Sequence, residues 1–144
     1  MASAHDVAAY ILREAGPMDS WKLQKLVYYA QAWHLVWEGK PLFPERIEAW
    51  ANGPVVRDLY DGHRGQFTVS SWQRGRISNL SQSERESIDV VLKHYKRFTG
   101  FTLRERTHSE RPWQAARQRS GAAPGERSNE QITLGDLADY YGSL

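Results

Sequence analysis

The longest run of regularly spaced apolar residues lies between Met18 and Gly39 and predicts a central helix. Its main stripe recurs at helical spacing and consists of Leu23, Leu26, Val27, Ala30, His34 and Trp37. The faces between these positions are largely apolar as well, with Tyr28, Tyr29, Trp33, Leu35 and Val36. A helix that is apolar on most sides is usually buried in the centre of a fold. Asp19 or Ser20 is expected to cap its start, and Gly39 is expected to end it.

Shorter apolar stripes predict helices before and after this one. The first covers residues 6–14, with Asp6 as its N-cap, and another covers residues 54–62. The clearest amphipathic helix follows Ser81, which stands in capping-box spacing with Glu84. Its stripe and its expected end are formed by Ile88, Val91, Leu92, Tyr95, Phe98 and Gly100.

The remaining segments predict short elements. Residues 101–120 read as two short helices, and residues 130–144 open extended and close as a further helix. Strand-like patterns occur in three short stretches, residues 45–50, 67–72 and 75–80. The chain is therefore predicted to be mainly α. We expect a single compact helical domain over residues 1–144, with six to seven helices around the central aromatic helix and a small minor β element.

The segment around Trp50, Asn52, Gly53 and Pro54 predicts a corner between a strand and a helix. Gly53 allows the backbone to turn tightly or to approach another element closely. Pro54 suits the first turn of a helix, where its missing N–H is not needed. Asn52 is able to accept N–H groups at such a helix start.

Composition is that of an ordinary globular chain with many large aromatic residues. Its 144 residues include six Trp and seven Tyr, and aromatic side chains are enriched both in cores and at protein interfaces. The absence of cysteine excludes disulfides, thiolate metal sites and a cysteine nucleophile. No apolar run is long enough to span a membrane, and the N-terminus lacks a secretory signal, so the cytoplasm is the expected compartment.

No pattern typical of a catalytic or metal site is present. The five histidines are scattered, and no phosphate-binding loop or nucleophile elbow occurs. We therefore expect no catalytic residue, cofactor or metal ion. The alternative is an enzyme centred on His108, with Asn52 and Glu110 nearby. The run from Thr107 to Trp113 is also explained by a helix start in which Trp113 packs inward, or by a binding surface.

Charge is unevenly distributed along the chain. Between Gln73 and Arg127 there are 12 basic and 6 acidic residues, although the net charge of the chain is only +2. A basic segment is able to face nucleic acid or an acidic partner. No exposed basic recognition helix is evident, and acidic residues interrupt the arginine cluster, so a nucleic-acid-binding regulator is a less favoured alternative.

Three blocks of sequence carry a resemblance. They are "KLQKLVYYAQAWHLVWEGKPLF" from Lys22, "IEAWANGPVVRDLY" from Ile47 and "LRERTHSERPW" from Leu103. In this order they resemble the signature blocks of the Panacea domain, a SocA-like antitoxin domain formerly known only as a phage-associated domain. The resemblance spans about residues 5–142. Its motif residues are Lys22, Gln24, Lys25, Trp50, Asn52, Gly53, Pro54, His108, Glu110 and Trp113.

The resemblance implies an antitoxin of a type II-like toxin–antitoxin system. Panacea domains pair with many unrelated toxins and neutralise them by direct protein contact. The implied partner is a cognate protein toxin encoded by an adjacent gene, in a hetero-oligomer, with a homo-oligomer as a further option. At least one relative is instead an adaptor that delivers its toxin to a ClpXP-type protease. Many relatives fuse the domain to a DNA-binding or other segment, for which this chain leaves no room, so autoregulation through such a second domain is not expected here.

The binding surface itself is less defined by the sequence. Four aromatic residues are expected as interface anchors in addition to Trp113, namely Tyr28, Tyr29, Tyr60 and Trp72. Residues 67–83 and the loop over residues 121–129 resemble the family least, so partner choice is expected to vary there.

Overall fold

A computed structural model describes residues 2–144, which form seven α-helices and five short β-strands. The helices are α1 (Ala4–Ala15), α2 (Ser20–Glu38), α3 (Arg57–His63), α4 (Gln82–Tyr95), α5 (Gly100–His108), α6 (Arg111–Ser120) and α7 (Leu134–Tyr141). The strands are β1 (Met18–Asp19), β2 (Ile47–Trp50), β3 (Gly53–Val56), β4 (Thr68–Val69) and β5 (Gln131–Ile132). The mainly α prediction with a minor β element is confirmed.

Helix α2 lies at the centre of the fold, as its apolar pattern predicts. It packs against α1, α4, α5, α7 and β3. Every residue from Leu23 to Ala32 is buried, so neighbours cover all faces of this part of the helix. Asp19 caps the start by accepting a hydrogen bond from the backbone N–H of Lys22 (2.8 Å). Gly39 ends the helix in the left-handed conformation, with φ of 72°.

Helix α1 begins two residues earlier than predicted, and its cap is Ser3 instead of Asp6. Ser3 and Asp6 form a capping box, in which the carboxylate of Asp6 accepts the N–H of Ser3 at 2.9 Å. The same carboxylate also accepts the N–H of Arg76 at 2.7 Å. Asp6 therefore holds a distant loop against α1, which explains why it is buried at the start of a helix.

The corner at Gly53 and Pro54 is a hairpin followed by a helix, which corrects the prediction of a helix over residues 54–62. Strands β2 and β3 pair antiparallel, with Trp50 opposite Gly53, so Ala51 and Asn52 form the turn. Pro54 lies in β3, the edge strand of the order β3-β2-β5, where a residue without an N–H is tolerated. Helix α3 starts only at Arg57 and has no side-chain cap, so Asn52 does not cap it.

Three further predictions near the middle of the chain are wrong in whole or in part. Residues 75–80 form no strand, because Ile77–Asn79 is a single 3-10 turn. The capping box of Ser81 and Glu84 is confirmed, but α4 ends at Tyr95, and Gly100 begins α5 instead of ending α4. Of the segment over residues 67–72, only the two residues of β4 are a strand, paired with β1.

The C-terminal part of the chain closes the fold around α2. Helices α5 and α6 and the extended-then-helical segment of β5 and α7 agree with the predictions. The buried side chain of Arg117 joins β2 to the loop after α6, because it donates to the carbonyl oxygens of Ala49 (3.0 Å), Ala123 (2.9 Å) and Glu126 (2.6 Å). Within residues 2–144, no helix is both long and apolar enough to cross a membrane.

Candidate functional site

An open groove runs along the N-terminal end of α2, the β2–β3 turn and the start of α5. It consists of a larger pocket of about 580 Å³ and a smaller one of about 330 Å³, and both are lined by Trp21 and Asn52. Volumes of a few hundred Å³ are typical of sites that take small molecules or protruding side chains. We call the two pockets together the α2 groove.

The larger pocket combines aromatic rings with cationic side chains. The rings of Trp50 and Tyr60 meet edge-to-face with centroids 4.9 Å apart, and Arg57 lies 5.9 Å from the Trp50 ring. Arg64 and Arg127 complete the cationic lining. Below them, buried Glu48 accepts the indole N–H of Trp50 at 2.9 Å and so fixes the orientation of the ring.

The smaller pocket is built around Lys25. This side chain is 1% exposed, and its Nζ makes no hydrogen bond or ion pair within residues 2–144. The Trp21 ring, with its centroid 5.4 Å from Nζ, is its nearest aromatic neighbour. Burial, assisted by the charge of Arg104 and opposed by Asp19, lowers the pKa of Lys25 to about 7.

Two exposed phenylalanines stand at the rim of this pocket. Phe67 is 72% exposed and Phe101 is 69% exposed. Arg104 lines the same pocket and is tied to its own surroundings, because it donates to Glu105 at 2.8 Å and to Asn52 at 3.3 Å. The pocket therefore presents one free buried amine, surrounded by apolar and already paired groups.

The three motif blocks of the sequence meet beside this groove. Gln24 binds both backbone groups of Val56, because its Oε1 accepts the N–H at 2.8 Å and its Nε2 donates to the carbonyl at 3.2 Å. Trp113 donates its indole N–H to the carbonyl of Trp50 at 2.9 Å. These contacts join α2 to the hairpin and the hairpin to α6. Pro54, buried in β3, belongs to the same junction.

Glu110 connects the third block to the aromatic core. Its Oε1 accepts the hydroxyl groups of Tyr29 (2.8 Å) and Tyr141 (2.7 Å). Burial raises the pKa of Glu110, and the two hydroxyl donors partly oppose this. Both acceptor bonds are made to the core, so this carboxyl group ties α6 to α2 and α7.

His108 lies flat against Trp113, with ring centroids 3.8 Å apart and an angle of 11° between the rings. Its buried Nε2 has no hydrogen-bond partner within residues 2–144. Burial, with a contribution from Arg104, lowers the pKa of His108 to about 4. No hydrogen bond links His108 to Asn52 or Glu110: Asn52 accepts from Arg104, and Glu110 accepts from Tyr29.

The structure corrects three of the four expected anchors. Tyr28 (1% exposed), Tyr29 (0%) and Trp72 (7%) are core side chains that a partner cannot reach. Tyr60 is half-buried and lines the larger pocket. Lys22 is also half-buried and donates its Nζ to the carbonyl of Lys96 at 2.6 Å, which makes it a link between helices.

Sequence reasoning missed most of the groove lining. The missed residues are Trp21, Arg57, Arg64, Phe67, Phe101, Arg104 and Arg127. For Phe101 a signal was available, because it lies outside the apolar stripe of its segment, and an aromatic residue outside such a stripe is a candidate surface contact. Within residues 2–144, no three acidic or histidine side chains are arranged to hold a metal ion.

The sequence of this chain matches a known protein-family model. A family model described as "Antitoxin SocA-like, Panacea domain" matches residues 23–114. The chain belongs to this Panacea-domain antitoxin family. No curated protein and no solved structure matches the chain. The matched range of this Panacea protein extends from α2 into α6 and contains the hairpin, whereas α1, β5 and α7 lie outside it.

Proposed function

We propose that this Panacea-domain protein is an antitoxin that neutralises a cognate protein toxin by binding it directly through the α2 groove. In this proposal residues 1–144 act as one cytoplasmic binding domain without a reaction of their own. The toxin is encoded by an adjacent gene, as in type II-like systems. The Panacea family match supports the antitoxin role, and the groove supports the choice of surface.

One observation carries this assignment: Phe67 and Phe101 remain largely exposed beside an open pocket. Exposed apolar groups that border a concave surface are typical of protein-binding sites. The same groove presents Trp21, Trp50 and several arginines, and tryptophan and arginine are the residue types most enriched among energetically dominant interface contacts.

The position of the least family-like segments fits the same surface. Phe67 belongs to one of them, and Arg127, Ser128 and Asn129 belong to the loop that lines the larger pocket. A groove with motif residues on one wall and these segments on the other would allow one scaffold to accept different partners.

The test uses co-expression with the product of the adjacent gene and the variant Phe101→Glu. Phe101 lies in the first turn of α5, where an acidic side chain stabilises the helix, so the substitution is expected to leave the fold intact. We expect Phe101→Glu to lose growth rescue and co-purification of the toxin. Val90→Glu is the control, because Val90 is 51% exposed on α4, which does not line the groove.

Two results would contradict the proposal. If Phe101→Glu rescues growth as well as the unchanged chain does, the α2 groove is not the binding surface. Rescue accompanied by a fall in toxin level, seen only when a ClpXP-type protease is present, would favour the adaptor function over direct neutralisation.

A further inference from the structure

We propose that the smaller pocket of the α2 groove binds one side-chain carboxylate of the toxin, and that the Nζ of Lys25 is its receptor. This inference rests on the proposed function and adds the chemistry of the recognised group. The predicted ligand is an aspartate or glutamate that projects from the toxin surface and is flanked by apolar residues.

The first argument is the lack of a partner for Lys25. Lysine is almost never fully buried unless it is paired, because removing an ammonium group from water without compensation is strongly unfavourable. Lys25 is 1% exposed, yet no acceptor within residues 2–144 takes a hydrogen bond from its Nζ. Instead Lys25 lines a pocket that opens to the protein surface. A missing acceptor supplied from outside explains why the fold keeps an amine at this position.

The second argument is the shape of the pocket around the amine. The start of α5, at Gly100 and Phe101, forms one border of the pocket. Trp21 and the two rim phenylalanines supply apolar walls. A volume of about 330 Å³ accommodates an inserted acidic side chain together with part of its surroundings.

The third argument is charge, which favours a single negative charge over a phosphate. Asp19 lines the same pocket, held in place as the cap of α2, and Arg104 is already paired with Glu105. Lys25 is thus the one cation of the pocket without an acidic partner among the described residues. A dianion or polyphosphate would face the carboxylate of Asp19 with too little positive charge to offset it. A monoanionic carboxylate fits this balance.

The principal experiment compares Lys25→Met with the unchanged chain in binding to the purified product of the adjacent gene. Methionine keeps most of the aliphatic length and removes the amine. We expect at least a tenfold loss of affinity, together with an unchanged or higher melting temperature, since the variant no longer buries an unpaired amine. Lys93→Met, which removes an exposed lysine of α4, is the matched control and is expected to keep full affinity.

A spectroscopic readout covers the case in which Lys25→Met folds poorly. The ε-carbon NMR signal of Lys25 reports the protonation of its amine in the unchanged chain. When the toxin binds, a carboxylate beside Nζ should raise the titration midpoint of Lys25 by at least two pH units from a value near 7. Asp→Asn or Glu→Gln substitutions in the toxin identify the inserted residue. The loss of affinity caused by that substitution should not add to the loss caused by Lys25→Met.

The outcomes separate this inference from the proposed function. A stable complex in which Lys25→Met binds normally and the Lys25 midpoint does not move overturns the inference and leaves the antitoxin function intact. Failure of the two unchanged proteins to bind overturns both. If inorganic phosphate alone shifts the Lys25 midpoint as strongly as the toxin does, the pocket is a site for free anions, and the inference of a toxin carboxylate is wrong.

Discussion

The backbone of Gly53 lies directly against the side chain of Lys25. A Cβ atom built on Gly53 would stand 2.6 Å from Cε and 3.2 Å from Nζ of Lys25, closer than packed atoms allow. Gly53 also has φ of +119°, a conformation that other L-residues rarely adopt. The glycine that ends the hairpin turn is therefore part of the wall that buries the lysine. The structure thus links the second motif block to the first through a contact that only glycine permits.

Gly53→Ala is expected to destabilise the protein by about 2–4 kcal/mol, because backbone strain and the contact with Lys25 act together. Urea denaturation followed by circular dichroism measures this loss. Gly65→Ala is the matched control: Gly65 also has positive φ (82°), but its Cβ would meet no atom within 4 Å. Equal losses in the two variants would show that the contact with Lys25 contributes nothing.

The stability of the protein should rise with pH above neutrality because of Lys25. Its pKa is about 7 in the folded state against 10.5 for an ordinary lysine, so unfolding takes up a proton between these values. Stability from this group is fully present above pH 10.5 and is lost as pH falls to 7, on the order of 5 kcal/mol in all. The difference between the unchanged chain and Lys25→Met, measured from pH 7 to 9.5, isolates the effect. A difference independent of pH would mean that the amine titrates as in water.

Gln24→Leu is expected to destabilise the fold by about 2–4 kcal/mol. The leucine would leave the buried N–H and carbonyl groups of Val56 without their side-chain partner, and an unpaired buried polar group costs more than the lost bond alone. Chemical denaturation provides the measurement. Gln73→Leu, at an exposed loop position, should stay within about 0.5 kcal/mol of the unchanged chain. A similarly small effect of Gln24→Leu would show that β3 does not depend on this side chain.

The elements that the sequence predicts well are those with local signals. Helix α2 combines a capping aspartate, a continuous apolar pattern and a terminal Gly39, and its bounds follow from these three features. The capping box at Ser81 likewise marks the start of α4. In contrast, the sequence predicts a helix at the residues that form β3. Pro54 and two valines are compatible with both structures, and the decision comes from pairing with β2 and from the distant Gln24.

The candidate site was less accessible to sequence reasoning because it depends on long-range contacts. Nothing local distinguishes Lys25 from an exposed lysine of an amphipathic helix. Its burial results from Gly53 and from the start of α5, which lie far along the chain. Tyr28 and Tyr29 show the opposite error. The sequence predicts that they are interface anchors, but both side chains are buried in the core. Only the family resemblance indicated that these separate blocks belong together.

His108 is expected to make the fold less stable in mild acid. Its pKa is lowered from 6.5 to about 4, so unfolding takes up a proton between these values, and the stability that it contributes above pH 6.5 is lost as pH falls toward 4. The physical cause is its buried Nε2, which has no acceptor for a second proton, while Arg104 nearby disfavours added positive charge. His108→Phe keeps the ring stacked on Trp113 and removes the titration. Melting temperatures measured from pH 7.5 to 4.5 should therefore fall more steeply for the unchanged chain than for His108→Phe. Parallel curves would show that His108 takes up its proton at the same pH in the folded and the unfolded protein, and a lowered pKa of His108 would then be wrong.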